Sequence, residues 1–283
     1  MTSAQDERNR PALIPFASPS NPLQARWRRA AALLIPSSGA GCLETRGSFT
    51  DITKRRSWVQ PRFDGREMVM VHDMFRREFA LLPGLVDEVP TRNDTRAQLV
   101  GDHIEALIAA LDHHHRSEDE YVWPLLVDRC AESAAALTAM MQAQHDQVGA
   151  RIHEVNTALE IWRSNITTDS RKSLVEALDR LIASLRQHLI DEERQVVPLM
   201  EQYITAAEFL EMVRNGATNA DPDGLPLGFG MLMYEGHPEV VDRAIAGMAA
   251  EARPIIRGLA AQAFADHSQR IHGTATPPRS TEL

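Results

Sequence analysis

The sequence predicts an all-α protein centred on an antiparallel up-down four-helix bundle. Three observations predict it. Between about residues 67 and 205, Gly and Pro are rare inside segments rich in Ala, Leu, Glu, Arg and Gln, which are good helix formers. Apolar residues in those segments recur at steps of three and four, the spacing of one helix face. The links "PTRND" (90–94) and "RSNITTD" (163–169) are short and polar, and short links between long helices make antiparallel neighbours.

The first helix is predicted from Arg66 to Leu82, ending before Pro83-Gly84. The second runs from Thr95 to Arg129 with Pro124 inside it, and the third from Ser133 to Ile161. The fourth runs from Ser170 to Gln202, with Asp169 or Ser170 as its cap. Residues 206–272 are helical in composition but interrupted by "NGATNADPDGLPLGFG" (215–230). They are expected to add two or three helices to one side or end of the bundle, with His237, His267 and His272 at the surface. The tail "GTATPPRSTEL" (273–283) is expected to be disordered.

Residues 1–66 differ in kind. They hold Pro11, Pro15, Pro19, Pro22, Pro36 and Pro61 and show no sustained apolar period. Eleven Lys or Arg face five Asp or Glu there, net +6, which leaves −15 for the rest of a chain of net charge −9. This is the composition of a disordered N-terminal extension. "RWRRAAALLIP" (26–36) has an apolar part of only about six residues, below the usual length of a signal core. A twin-arginine export signal and a start codon misplaced upstream of Met68 are alternative readings of the segment. The expected organisation is therefore 1–66 extension, 67–205 bundle, 206–272 helical extension, 273–283 tail.

Composition removes several classes. No run of eighteen apolar residues exists in the 283, so no membrane-spanning helix is expected. The acidic balance argues against a nucleic-acid partner. Cys42 and Cys130 share no motif with the His/Glu clusters and make no disulfide framework, so a reducing cytoplasm is the default compartment.

The chemistry lies in a repeat. "HHRSEDEYVWPLL" (114–126) and "HLIDEERQVVPLM" (188–200) both read H-x-x-x-E, five residues, then Pro-Leu-apolar. His114 and Glu118 are four apart, as are His188 and Glu192, and Pro124 and Pro198 each follow the glutamate by six. Placed on helices, Leu107, Leu111, His114 and Glu118 form one stripe, and Leu181, Leu185, His188 and Glu192 another. Met141, His145, Val148 and Ile152 line a third, while His72 is followed by Phe75 and Phe79 on the first helix. Each helix thus turns a histidine toward the core, and two also turn a glutamate there. One histidine on an apolar face is ordinarily a satisfied core residue. Four imidazoles and two carboxylates converging are different, because two buried carboxylates without counter-charge are costly. Divalent or trivalent cations remove that cost, and imidazole with carboxylate suits iron, manganese or zinc.

With these motifs the chain resembles the hemerythrin family, specifically the bacterial HHE cation-binding proteins, over about residues 67–203. "VHDMFRREF" (71–79), "HHHRSEDEYVWPLL" (113–126), the histidine of "QAQHDQV" (142–148) and "HLIDEERQVVPLM" carry the resemblance. It implies two non-haem irons joined by an oxo or hydroxo bridge, with manganese or zinc as alternatives. His72, His114, His145 and His188 would be nitrogen ligands, and Glu118 and Glu192 bridging carboxylates.

The chain departs from the oxygen carriers of that family. They have a second histidine one turn after that on the third helix, where this chain has Gly149. Their fourth-helix carboxylate lies where Glu193 stands, so Glu193 is the reserve for Glu192, and Asp119 the reserve for Glu118. His113 and His115 flank His114 at about 100° to either side and are expected outside the ligand set. His103, about 16 Å from His114 along the helix, is too far to join the same centre. Asp119, Glu120, Asp191 and Glu193 are candidates to orient imidazole N–H groups. With four histidines, about two ligand places would stay open.

The expected function is a diiron protein that binds O2, NO or peroxide, in redox sensing or in oxidative and nitrosative defence. The alternatives are a catalase- or peroxidase-like oxidoreductase and an iron- or zinc-binding bundle without redox turnover.

Overall fold

The computed structural model describes residues 61–218 and 223–283. The N-terminal extension up to residue 60, including the signal-like stretch, lies outside the described residues. Those described are all-α. Four long helices come first: α1 (Arg66–Asp87), α2 (Asp94–Ser117), α3 (Trp123–Ser164) and α4 (Thr168–Gln195). A single wide π-helical turn, Glu118–Val122, joins α2 to α3. Shorter helices follow: α5 (Val197–Tyr203), α6 (Ala206–Thr218), α7 (Leu225–Glu235), α8 (Pro238–Ala246) and α9 (Arg253–His272). Among the described residues, no helix is long and apolar enough to cross a membrane.

Local chemistry sets most boundaries. Asn93 caps α2 by accepting from the Arg96 N–H at 3.0 Å. Thr167 caps α4, and Ser170 answers it, each side chain accepting from the other's backbone N–H. The cap is therefore Thr167 rather than Asp169 or Ser170, two or three residues earlier than the composition suggests. Pro83 does not end α1, which continues to Asp87. Proline removes one hydrogen bond there, but Leu85 and Val86 on the following turn are buried, and their burial favours continuation.

Pro124 and Pro198 each fall in the first turn of a new helical segment, α3 and α5. A missing N–H costs little at that place. The predicted break between Arg129 and Ser133 appears as a kink. Cys130 has φ −147° and ψ 48°, and helix resumes beyond it.

The four long helices enclose two apolar clusters. One contains Phe75, Phe79, Ile104, Leu107, Leu111, Val148, Leu159, Trp162, Leu181 and Leu185. The other contains Phe63, Met68, Val122, Trp123, Leu126, Met141, Val196 and Met200. On every long helix the sequence-predicted histidine falls between residues of the first cluster and residues of the second. His72 lies between Met68 and Phe75, His145 between Met141 and Val148, and His188 between Leu185 and Val196. The polar site is a layer sandwiched by apolar core.

A third cluster, with Val240, Val241, Ile256, Leu259 and Ala260, builds the C-terminal layer and reaches Met70 of α1. Helices α7 and α9 approach closely at Gly230, where a Cβ would stand 2.9 Å from that of Phe264 and would also strike the Ala260 carbonyl. Arg96 of α2 donates to the Arg270 carbonyl of α9 at 2.8 Å.

Residues 273–283, expected to be disordered, are described and packed. The Tyr234 hydroxyl donates to the Pro277 carbonyl at 2.7 Å, and the Ser280 hydroxyl to Glu235 at 3.1 Å. Anchoring by α7 side chains holds a segment whose own composition carries no fold signal.

Candidate metal centre

His72, His114, Glu118 and Glu192 place one donor atom each within 4.8 Å of one another. His145 and His188 form a second such group, and the third member is His115. The structure thus brings together all six sequence-predicted residues and adds one that was expected outside. The histidine triplet sits at the end of α2, just before the wide turn, and His115 rather than His113 faces inward. His113 is exposed and His115 is 6% exposed. Gly149, where a carrier has its extra histidine, is exposed, with open space where a Cβ would be. A helix turns 100° per residue, so neighbours in "HHH" face very different surroundings. Only the rotation of α2 against its neighbours decides that His114 and His115 face the centre and His113 does not.

The glutamates lie between the imidazoles. Glu118 Oε1 is 3.1 Å from His114 Nε2, and its Oε2 is 3.6 Å from His145 Nε2. Glu192 Oε2 is 3.4 Å from His72 Nε2 and 3.6 Å from His188 Nε2. None of these contacts is a hydrogen bond. The Nε2 atoms of His72, His114, His115, His145 and His188 are buried without a partner, as are both oxygens of Glu118 and of Glu192. Buried polar groups ordinarily find partners. Nine such atoms around one space could hold a metal cation.

Behind the imidazoles stands an outer ring of acceptors. His72 Nδ1 lies 2.8 Å from Glu193, which also takes the Arg76 guanidinium at 2.8 Å. His145 Nδ1 lies 3.0 Å from Asp119, which accepts from the Trp123 indole N–H at 2.8 Å. His188 Nδ1 lies 3.2 Å from the Gln144 side-chain oxygen. Gln144 in turn donates to Asp191 at 2.9 Å. An acceptor at Nδ1 keeps the proton there and leaves Nε2 free to ligate. Glu193 and Asp119, held in reserve as ligands, therefore face the backs of His72 and His145. Glu120 is exposed. The i, i+4 contact from Asp119 to Trp123 spans the π-helical turn, where Trp123 N–H bonds to the Glu118 carbonyl five residues back. The extra residue in that turn was invisible in the sequence.

The side chains of the site divide electrostatically. Burial, then neighbouring imidazoles, holds His114 and His115 well below the usual histidine range. Burial brings His188 down to about 4. Burial opposes charge on His72 too, but Glu192 and Glu193 overcome it and raise it to about 9. Glu118 is pushed well up by burial and by the neighbouring Glu192. Burial would raise Glu192 as well, yet His72 draws it down.

Comparison with known proteins agrees with this geometry. Residues 66–200 match the family model described as the hemerythrin HHE cation-binding domain. Searches of curated proteins and of solved structures give no match.

Proposed function

We propose that residues 66–200, a segment belonging to the hemerythrin HHE cation-binding domain family, form an antiparallel up-down four-helix bundle that holds two non-haem irons and binds O2, NO or peroxide. The role would be in redox sensing or in oxidative and nitrosative defence. The observation that carries this reading is the ring of nine buried, partnerless donor atoms. His72 and His114 would hold one ion. His115, His145 and His188 would hold the other, with Glu118 and Glu192 bridging. When bound, the pair supplies Lewis acidity and one-electron redox change.

His115 alters the expected ligand balance. Two six-coordinate ions offer about twelve places. Five imidazoles, Glu118, Glu192 and a solvent-derived group would fill all but about one of them, and the place left open would lie on the side held by His72 and His114. One open place instead of two favours binding of one small ligand. Phe75 covers the same side, its ring centroid 5.4 Å from that of His114, and is itself buried. It excludes bulk water there. The Arg76–Glu193 pair fixes the tautomer and direction of His72 on that side.

The test is metal analysis with a visible spectrum of protein purified in air. About two irons per chain, ferric absorption that changes on adding NO or azide, and loss of both in His188→Ala are expected. Zinc as the sole bound metal, or a colourless protein indifferent to those ligands, would overturn the reading.

A further inference from the structure

A second polar cluster lies away from the first, where α9 meets the bundle. Glu78 of α1, His103 of α2 and His272, the last residue of α9, bring one donor atom each within 4.8 Å of one another. Glu78 Oε2 is 3.2 Å from His103 Nε2 and 3.5 Å from His272 Nε2. All three atoms are buried and none is hydrogen-bonded, despite those distances. The side chains of Glu78, His103 and His272 are 0%, 2% and 6% exposed. Both imidazole nitrogens stand close to the oxygen without hydrogen-bond geometry toward it. His267 and His272, expected at the surface, point inward because α9 buries Phe264 and Ile271 against the bundle.

We infer that Glu78, His103 and His272 form a mononuclear site for a divalent transition ion of the zinc or ferrous class, distinct from the two-ion centre. Two imidazoles and one carboxylate are a common donor set for such ions, with further places left to solvent. Donors about 2.1 Å from one ion stand about 3.0 Å apart at a right angle and about 3.4 Å apart at the tetrahedral angle. The observed separations of 3.2 and 3.5 Å fit.

The surroundings fit as well. The other oxygen of Glu78 accepts from Arg77 Nε at 2.9 Å and Nη2 at 2.7 Å, which fixes the carboxylate with Oε2 toward the imidazoles. Arg77 is shared with Glu235, which accepts at 2.6 Å. One guanidinium thus faces two carboxylates, and one buried negative charge is left for a cation to neutralise. His103 Nδ1 lies 3.3 Å from His267 Nε2. Donation in that direction leaves the His103 Nε2 lone pair facing the site.

Two ligands come from helices of the matched family segment and the third from beyond it. The ion would clamp the C-terminal helical layer to the bundle, giving residues 206–272 a defined coupling to it. Gly273 follows immediately at φ +72°, a left-handed position that ends α9 at its ligand.

Iron-loaded full-length protein titrated with Zn2+, freed of excess and analysed for both metals tests this. Wild type should retain one zinc per chain in addition to its iron and melt at a higher temperature than the same protein treated with a chelator too weak to strip the iron. Glu78→Gln and His272→Ala should lose that zinc and that shift, while keeping iron and its visible spectrum. Wild type that retains no zinc, or variants that retain as much as wild type, would overturn the site. The wild-type measurement decides even if a variant folds poorly. Protein that holds zinc here but no iron would sink the diiron reading alone.

Discussion

The imidazoles of His115 and His145 lie stacked, with ring centroids 4.1 Å apart and planes 13° from parallel. Both Nε2 atoms are buried without partners and belong to one donor group with His188. Two charged rings would repel at this distance, so the arrangement suits neutral imidazoles sharing a cation. His115→Ala should weaken binding of one of the two ions by at least about tenfold, as loss of a direct ligand exceeds loss of an outer partner. Metal per chain after dialysis should fall from about two toward one. His113→Ala, on the exposed neighbour, should leave metal content unchanged.

Asp119 and Glu193 act through the histidines they touch. Asp119→Asn and Glu193→Gln keep side-chain size but lose the charge that holds the Nδ1 proton of His145 and His72. Each should lower metal affinity about 10- to 100-fold while leaving helix content unchanged. Competition with a chromophoric chelator measures the first and circular dichroism the second. Unchanged affinity in both variants would show that the outer ring is ordinary surface charge.

Metal-free protein should lose stability on mild acidification. His114, His115 and His188 have folded-state pKa values depressed by burial, His188 to about 4. The unfolded chain then binds more protons than the folded one. Their contribution is complete above about 6.5 and is lost as pH falls toward 4. Glu118, raised by burial, works the other way above about 4.5, one group against three. His72, raised to about 9, contributes stability below about 6.5 that is lost as pH rises through 9. Urea midpoints from pH 4 to 9 should therefore peak near neutrality. A midpoint that climbs steadily toward acid would contradict these environments.

Gly230 lets α7 and α9 approach to backbone contact. In Gly230→Ala the new methyl meets the Ala260 carbonyl and Phe264, and overpacking of this kind costs about 1–3 kcal/mol. Thermal melts should show that loss, with iron in the bundle retained. If iron is lost as well, the C-terminal layer supports the bundle centre more strongly than its position suggests.

Sequence spacing alone determined that four helices each present a histidine to a shared interior, and that Glu118 and Glu192 accompany two of them. That information is local. Steps of three and four put His188 and Glu192 on one stripe with Leu181 and Leu185, whatever else the chain does. Tertiary structure decided which of His113, His114 and His115 face inward, and that Glu193 and Asp119 stand behind imidazoles. Both outcomes depend on the rotation of one helix against another and on an extra residue in the turn at Glu118–Val122, which no side-chain pattern announces. It also decided the meeting of Glu78, His103 and His272. These lie up to 194 positions apart in the chain, and each alone reads as a surface or ordinary core residue. Helical periodicity states which face a side chain occupies. Only packing states what that face meets.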